Sequence, residues 1–176
     1  MTARLEAMKT RFDVTEMTAD DIPAVVALAE RIWQAHYPGI ISDDQIRYML
    51  DLWYSRKALQ EKLDKNAGPF LLAWEGETLI GFLSCSVGEE EAFIHRWYVD
   101  TQAHSRGIGS LLLHMLEMRL PDAIRRIRLH VNRKNWQSVN FYFRREFVIT
   151  GIQDTPIGDG YVMEDYVMVK ACSTDE

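Results

Sequence analysis

The sequence predicts an α/β (α+β) domain with a mixed sheet and helices on both faces. Its 176 residues are about the length of one domain. Hydrophobic residues make up 47% and charged residues 26% of the chain, which is typical of a globular protein. The predicted elements run in the order β-α-α-β-β-β-α-β-α-β-β. Helices that follow central strands indicate a sheet covered on both sides.

The N-terminal third of the chain is predicted to form a strand and two helices. The strand is expected near Phe12–Met17. Asp20 is a good N-cap for the first helix, whose apolar residues recur at helical spacing up to Trp33. Ser42 caps a second helix, which is expected to run to about Leu63.

Strands predominate in the rest of the chain. Ile127, Leu129 and Val131 alternate with polar residues, and a period of two indicates a strand. The remaining strands are expected at Phe70–Trp74, Thr78–Val87, Ala92–Val99, Phe147–Gly151 and Tyr161–Lys170. Helices are expected from near Gly107 to a point before Pro121, and over Asn135–Arg145.

Charge and hydropathy exclude several classes of protein. The formal charge of −6 does not favour a nucleic-acid partner, because such binding needs a basic face. Apolar runs are too short for a membrane span, and the charged N-terminus does not resemble a secretory signal. Cys85 and Cys172 match no metal spacing. These features predict a cytoplasmic protein with no membrane partner and no metal.

The segment from His104 to Ser110 predicts an anion-binding loop. A strand enters a short turn, and Gly107 and Gly109 then open an amphipathic helix. Glycines allow a positive φ and a close approach of the backbone to a ligand, while a helix start offers unpaired N–H groups and a positive dipole. Arg106 adds a charge. Alone, this pattern also fits a plain tight turn, and it is neither a P-loop nor a dinucleotide fingerprint.

Two motifs in order resemble the GNAT superfamily of acyl-CoA-dependent N-acetyltransferases. The first is the strand Trp97-Tyr98-Val99 followed by the loop from His104 to Gly109, and the second is the segment Asn135 to Phe147. The resemblance implies the GNAT fold, with a mostly antiparallel sheet of six to seven strands whose central parallel strands splay apart. It implies a flexible segment at residues 1–11, one acetyltransferase domain at 12–170 and a tail at 171–176.

This chain departs from the family pattern at three positions. His104 stands where glutamine or arginine is usual, so its side chain contributes differently to a phosphate site. Ser138 replaces a small alanine. Glu146 replaces the glycine before Phe147, so the preceding helix is expected to end without the usual left-handed cap.

The resemblance also implies how acetyl-CoA would bind. The pyrophosphate would lie on main-chain amides of the loop, and the pantetheine arm would bond the exposed edge of the strand before it. The Val99 N–H would face the thioester oxygen. The implied coenzyme-binding residues are Trp97, Tyr98, Val99, His104, Arg106, Gly107, Ile108, Gly109, Ser110 and Asn135. Asn135 can equally be a simple N-cap.

Two residues are predicted to move protons. Tyr142 occupies the tyrosine position of the family and would protonate the leaving thiolate, although it also lies on an apolar stripe and can be a packed core residue. His95 lies on the strand where some members of the family carry a carboxylate that acts as a general base. His95 could take the proton of the amine in its place. The alternative for His95 is a strand histidine bonded to backbone or solvent.

The acceptor is predicted to be a primary amine of a small cationic molecule, similar to a polyamine. Trp33, Tyr37, Tyr48 and Asp165 combine aromatic rings with a carboxylate, which suits a cationic amine, but these residues also fit a core and a solvated rim. A protein or peptide acceptor is the alternative, and a non-catalytic acyl-CoA-binding module is a second one. The last strands could also pair with those of a second copy of the chain to form a homodimer.

Overall fold

The computed structural model describes residues 11–172. Two compact units divide them: one contains residues 11–85 and 96–119, and the other contains 86–95 and 120–172. Of the predicted terminal segments, residues 1–10 and 173–176 lie outside the described residues. No helix within the described range is long and apolar enough to span a membrane.

Seven strands and five α-helices make up these residues. The strands are β1 (Asp13–Glu16), β2 (Phe70–Glu75), β3 (Thr78–Val87), β4 (Glu91–Val99), β5 (Arg126–Asn132), β6 (Val148–Gly158) and β7 (Tyr161–Ala171). The helices are α1 (Ile22–His36), α2 (Asp43–Tyr54), α3 (Arg56–Lys65), α4 (Ile108–Glu117) and α5 (Trp136–Phe143).

The strands follow the order β1-β2-β3-β4-β5-β7-β6 in one sheet. The pair β4–β5 is parallel, with a register from Glu91↔Arg126 to Ile94↔Leu129. The pairs β1–β2, β2–β3, β5–β7 and β6–β7 are antiparallel. The predicted fold class, a mixed and mostly antiparallel sheet with helices, is therefore confirmed.

The first unit forms its core from the apolar stripe of α1 and the buried strands β2 and β3. Val25, Ala29 and Trp33 on α1 are at most 1% exposed, as the helical spacing predicts. Ser42 caps α2 by accepting the Gln45 N–H at 3.2 Å, so the predicted cap is confirmed.

The second helix predicted from Ser42 to Leu63 is two helices in the structure. Ser55 has φ −60° and ψ 151°, an extended conformation that ends α2. Its hydroxyl accepts the Ala58 N–H at 3.3 Å and so caps α3. Apolar spacing alone continues through this point, because a serine can either extend a helix or end it by local hydrogen bonding.

The second unit is built around β5, whose two faces differ. Ile127, Leu129 and Val131 are buried on one face, while the side chains of Arg128, His130 and Asn132 point the other way, as the period of two predicts. Strand β7 pairs with β5 along its whole length, from Arg126↔Ala171 to Asn132↔Asp165.

The end of α5 contradicts the expectation that this helix lacks a left-handed cap. Glu146 has φ +67°. Its N–H donates to the Phe143 carbonyl at 3.1 Å, and the Phe147 N–H donates to the Tyr142 carbonyl at 3.2 Å. These two bonds form a Schellman motif. Glutamate thus takes the position that glycine usually holds, in a conformation that costs a non-glycine residue roughly 1–2 kcal/mol.

We predict that Glu146→Gly unfolds with a free energy about 1 kcal/mol higher than Glu146→Ala. Both variants lose the ion pair between Glu146 and Lys170, 3.0 Å apart, so their difference isolates the cost of the left-handed backbone. Urea unfolding followed by circular dichroism measures both values. Identical midpoints for the two variants would contradict the prediction.

Candidate active site

The turn between β4 and α4 presents main-chain N–H groups at the start of a helix. Ser105 and Gly107 have φ values of +63° and +87°, and Gly107 is the N-cap of α4. The amides of the residues from Arg106 to Gly109 donate to no main-chain carbonyl within residues 11–172. The first amides of a helix have no acceptor inside it, so this turn can bind an anion through its backbone.

Arg106 does not offer a free charge to this turn. Its guanidinium donates to the Glu75 carboxylate and forms an ion pair with it. The carbon atom of the guanidinium also lies 5.1 Å from the centre of the Phe12 ring. The hydrogen bond from Arg106 lowers the pKa of Glu75. The charge that the sequence assigned to an anion is therefore shared with a carboxylate.

Asp100 and His104 fix the entry to the turn. The Asp100 carboxylate accepts from the Gln102 N–H at 3.0 Å and from Arg31 Nη2 at 2.6 Å, and its own N–H donates to the Ile80 carbonyl at 2.8 Å. His104 Nε2 lies 3.0 Å from the Val99 carbonyl. The loop histidine is thus hydrogen-bonded to the end of β4.

Aromatic side chains surround Tyr98 at the end of β4. The Tyr98 hydroxyl lies 3.2 Å from that of Tyr37, and its ring packs against Phe82 and Tyr54 with centroid distances of 5.5 and 6.4 Å. Burial raises the pKa of Tyr54. Trp33 contacts Tyr98 as well but is only 1% exposed. This burial gives Trp33 a role in the core and offers no open ring face to an acceptor.

Arg96, two residues before Tyr98 on β4, connects this strand to α2. Its Nη2 donates to the Trp53 carbonyl at 2.9 Å, and its guanidinium lies 5.1 Å from the centre of the Tyr54 ring. A cation at a helix C-terminus is favourable because the last carbonyls carry partial negative charge. Arg96 therefore stabilises the point where α2 ends.

Gly81 on β3 lies where the backbone of β4 and the start of α4 come close. A Cβ atom at this position would lie 3.0 Å from the Tyr98 carbonyl oxygen and 3.3 Å from Ile108 Cγ2. Only a residue without a side chain fits this space without moving the backbone. Gly81 therefore sets the position of the strand end and of the first residue of α4.

Asn135 and Tyr142 belong to the second unit. Asn135 is 4% exposed and caps α5, since its side-chain oxygen accepts the Ser138 N–H at 3.2 Å. The N-cap role is confirmed, and contact with a coenzyme remains a prediction. Tyr142 is 9% exposed, and its ring lies 5.9 Å from that of Phe147. The Schellman motif fixes the backbone that carries this phenol.

His95 and Phe93 lie on β4 in the second unit, next to His130 on β5. His95 is exposed, and its Nε2 lies 2.9 Å from the Ser86 hydroxyl. The Phe93 ring contacts both histidines, with centroid distances of 4.8 Å to His95 and 4.9 Å to His130. The structure therefore places a second histidine near the one that the sequence singled out.

Asp165 and Tyr48, the other predicted acceptor residues, have different surroundings. Asp165 is 3% exposed, and burial raises its pKa to about 6, with Arg133 acting in the opposite direction. Tyr48 is half-buried on α2. Asp165 is thus a buried carboxyl group that changes charge near neutral pH.

A model of the acetyltransferase (GNAT) family matches residues 26–147 of this chain. The chain belongs to the GNAT acetyltransferase family. The matched range contains the turn between β4 and α4 and the whole of α5. The family prediction is confirmed, and with it the prediction that this GNAT protein is an N-acetyltransferase.

Relatives of known structure or activity agree with this membership. Spermidine N(1)-acetyltransferase of Thermoplasma acidophilum is 26% identical over 157 residues, which cover 86% of this chain and 95% of the relative. The crystal structure of PaiA N-acetyltransferase from Thermoplasma acidophilum in complex with coenzyme A is 25% identical, with a TM-score of 0.78 over 92% of this chain and 99% of that chain.

A second similar structure shows the fold alone. The ribosomal-protein-S18-alanine N-acetyltransferase from Escherichia coli has a TM-score of 0.70 and is 17% identical, over 94% of this chain and 96% of that chain. GNAT proteins named for different acceptors therefore share this architecture, and the fold does not select an acceptor.

Sequence reasoning missed Gly81, Asp100 and His130. Gly81 stands in an ordinary apolar strand pattern, and His130 in an ordinary alternating one, so neither carries a local signal. Asp100 directly after the strand could have been read as a cap, because aspartate before a turn accepts a main-chain N–H. The contacts of Gly81 and His130 are distant in sequence, whereas Asp100 combines the local Gln102 N–H with the distant Arg31 and Ile80.

We predict that Gly81→Ala lowers the free energy of unfolding by about 1–3 kcal/mol, because the added methyl group displaces backbone atoms. Gly151→Ala is the matched control, since a Cβ there meets nothing within 4 Å, and its effect should stay within about 0.5 kcal/mol. Chemical denaturation measures both. Equal stability of the two variants would show that the Tyr98 carbonyl is not closely packed.

Proposed function

We propose that this GNAT acetyltransferase transfers an acetyl group from acetyl-CoA to a primary amine of a small cationic molecule, by direct attack in a ternary complex. The observation that carries the proposal is the turn before α4, whose amides from Arg106 to Gly109 donate to no main-chain acceptor among the described residues. Similarity to a spermidine acetyltransferase and to a structure that holds coenzyme A supports both substrates.

The turn fits a pyrophosphate through its backbone. Gly107 has φ +87°, a conformation found in backbone turns that bind anions, and the N-terminus of α4 adds a positive dipole. In this proposal the pyrophosphate contacts the amides of Arg106, Gly107, Ile108, Gly109 and Ser110. The ion pair with Glu75 directs the Arg106 side chain elsewhere, so its main-chain N–H is the group that binds.

The end of β4 would hold the pantetheine arm and the thioester. In the proposal Trp97 and Tyr98 offer main-chain groups to the pantetheine amides, and the Val99 N–H donates to the oxygen on which negative charge develops. His104 holds the Val99 carbonyl from the loop side. Asn135 would bind the pantetheine arm in addition to capping α5. Acetyl-CoA supplies an acyl group activated as a thioester.

Tyr142 is the proposed proton donor to the thiolate that leaves. A phenol has a pKa near 10 and a thiol one near 8–9, so a proton can be shared between them as the carbon–sulfur bond breaks. The residual 9% exposure of Tyr142 leaves part of this side chain accessible. Its ring packs against that of Phe147, with the ring centroids 5.9 Å apart.

The acceptor would be bound by aromatic rings and a carboxylate. Tyr37 and Tyr48 are half-buried, and Asp165 is a buried acid. These groups suit a cationic amine. Trp33 is left out of the proposed site because it is enclosed in the core. We also propose that the reaction takes place in the cytoplasm, because a chain with two cysteines that match no metal spacing suits a reducing compartment.

We predict that Tyr142→Phe lowers kcat by about 10²-fold or more and leaves the Kd for acetyl-CoA nearly unchanged, because the phenol acts only when the thiolate leaves. Steady-state kinetics and calorimetry measure the two quantities. Tyr166→Phe, on β7, is the control and should retain the wild-type rate. A Tyr142→Phe enzyme with unchanged kcat would remove Tyr142 from the mechanism.

The choice of acceptor is tested by release of free thiol from acetyl-CoA with polyamines, amino acids, aminoglycosides and short peptides. We expect turnover with polyamines or other small cationic amines. Turnover confined to peptides would instead establish a protein or peptide N-acetyltransferase. Binding of acetyl-CoA without turnover on any amine would contradict the proposal and favour a regulatory acyl-CoA-binding module.

A further inference from the structure

One face of the sheet in the second unit brings a histidine and a buried acid together. Residues that pair directly across two antiparallel strands have their side chains on the same face. Asn132 on β5 pairs with Asp165 on β7, and His130 pairs with Val167. His130 and Asp165 are therefore diagonal neighbours on one face, at a spacing of about 7–8 Å that is within reach of long side chains.

His130 presents an unsatisfied nitrogen on this face. Its Nε2 atom is buried and has no hydrogen-bond partner among residues 11–172, and its ring contacts the edge of Phe93. Burial and the nearby Arg128 lower the pKa of His130, while Glu91 raises it. A buried polar atom without a partner costs free energy, and a substrate that supplies the missing hydrogen bond would recover it.

Asp165 supplies the opposite charge. Burial and the negative charge of Asp154 raise its pKa to about 6, and Arg133 lowers it. Arg133 itself is engaged by Asp154 at 3.0 Å and by Glu164 at 3.4 Å. Because two other carboxylates share this guanidinium, Asp165 can accept a further cation when it is ionised.

His95 is less suited to the same task. It is exposed to water, and its Nε2 is hydrogen-bonded to Ser86. The Phe93 ring contacts both His95 and His130 and offers no proton-carrying group between them. The charged and titratable groups around His130 are thus Glu91 and His95 on β4, Arg128 on β5 and Asp165 on β7.

We propose that this face is the acceptor subsite, in which Asp165 holds the ammonium form of the amine and His130 takes its proton. The inference rests on the proposed acetyl transfer and assigns the base to His130 instead of His95. It deepens that function, because the acceptor must bring a primary ammonium group to a buried carboxylate.

The proton balance is complete with these groups. The ammonium gives one proton to His130 Nε2 and becomes a neutral amine. The amine nitrogen then forms a bond to the acyl carbon, the carbon–sulfur bond breaks, and the nitrogen loses a second proton as the amide forms. His130 returns its proton to solvent. Tyr142 gives its phenol proton to the thiolate sulfur in the proposed mechanism, and the second proton lost by the nitrogen restores the phenol.

The subsite sets the acid side of the pH profile. Below about pH 6 Asp165 is protonated and loses the charge that binds the ammonium. His130 must be neutral to accept a proton, and its lowered pKa keeps it so at neutral pH. We therefore expect kcat/KM for the amine to fall as the pH falls through about 6. The Kd for acetyl-CoA should not change over the same range.

Variants at both positions test the inference, with spermidine as the amine. We expect His130→Gln to lower kcat by about 10²-fold and Asp165→Asn to raise KM for spermidine by about tenfold or more and to abolish the acid limb near pH 6. Imidazole in the buffer should partly restore His130→Ala. His114→Gln, on α4, is the matched control that should retain the wild-type kcat and pH profile.

The outcomes separate the two proposals. A wild-type protein that binds no acetyl-CoA contradicts the proposed function. If the wild-type protein transfers acetyl groups and His130→Gln keeps its rate and pH profile, only the proposed acceptor subsite is contradicted. A loss of rate in His95→Ala alone would contradict the subsite in the same way. If no amine is acetylated, binding is tested by NMR. The His130 Hε1 resonance is identified because it is missing from the spectrum of His130→Gln, and it must shift when spermidine is added. A resonance that no amine moves overturns the inference.

Discussion

The conformation of the turn that joins β4 to α4 is the constraint on which the rest of the first unit depends. Gly107 at φ +87° is the N-cap through which the chain enters α4. Asp100 and His104 hold the turn through its own backbone and that of β4, and Gly81 lets the strands approach it. An anion-binding site made of main-chain groups needs such fixation, because its donors cannot reorient as side chains do.

In the second unit, the alternation of apolar and polar side chains along β5 determines which residues are buried and which lie on the polar face. One face is apolar and buried, and it supplies the core of the unit. The other face carries Arg128, His130 and Asn132 beside the carboxyl of Asp165. A strand that is buried on one face and polar on the other places ionisable groups next to a low-dielectric interior, where burial lowers the pKa of His130 and raises that of Asp165. The same pattern therefore supplies the core of the unit and shifts the pKa values of two ionisable groups.

Local patterns in the sequence were sufficient for most helices and strands, for the glycine turn and for membership of the family. They failed where a distant contact or a local alternative decides the structure. Apolar spacing continues through Ser55, yet the serine ends one helix and caps the next. Glu146 adopts the left-handed conformation because two main-chain hydrogen bonds outweigh its intrinsic preference. Both cases show tertiary and capping interactions overriding propensity.

The candidate site was predicted more completely in its backbone than in its side chains, and the charge of Arg106 shows why. A glycine pattern encodes backbone geometry directly, so the turn could be read from the sequence. Whether an arginine faces a ligand or a carboxylate depends on a residue 31 positions away, Glu75. With that charge shared, the proposed anion site would depend mainly on amide dipoles, which are insensitive to pH. The departure of His104 from the family pattern is consistent with this arrangement, because its side chain binds the Val99 carbonyl and leaves recognition to the main chain.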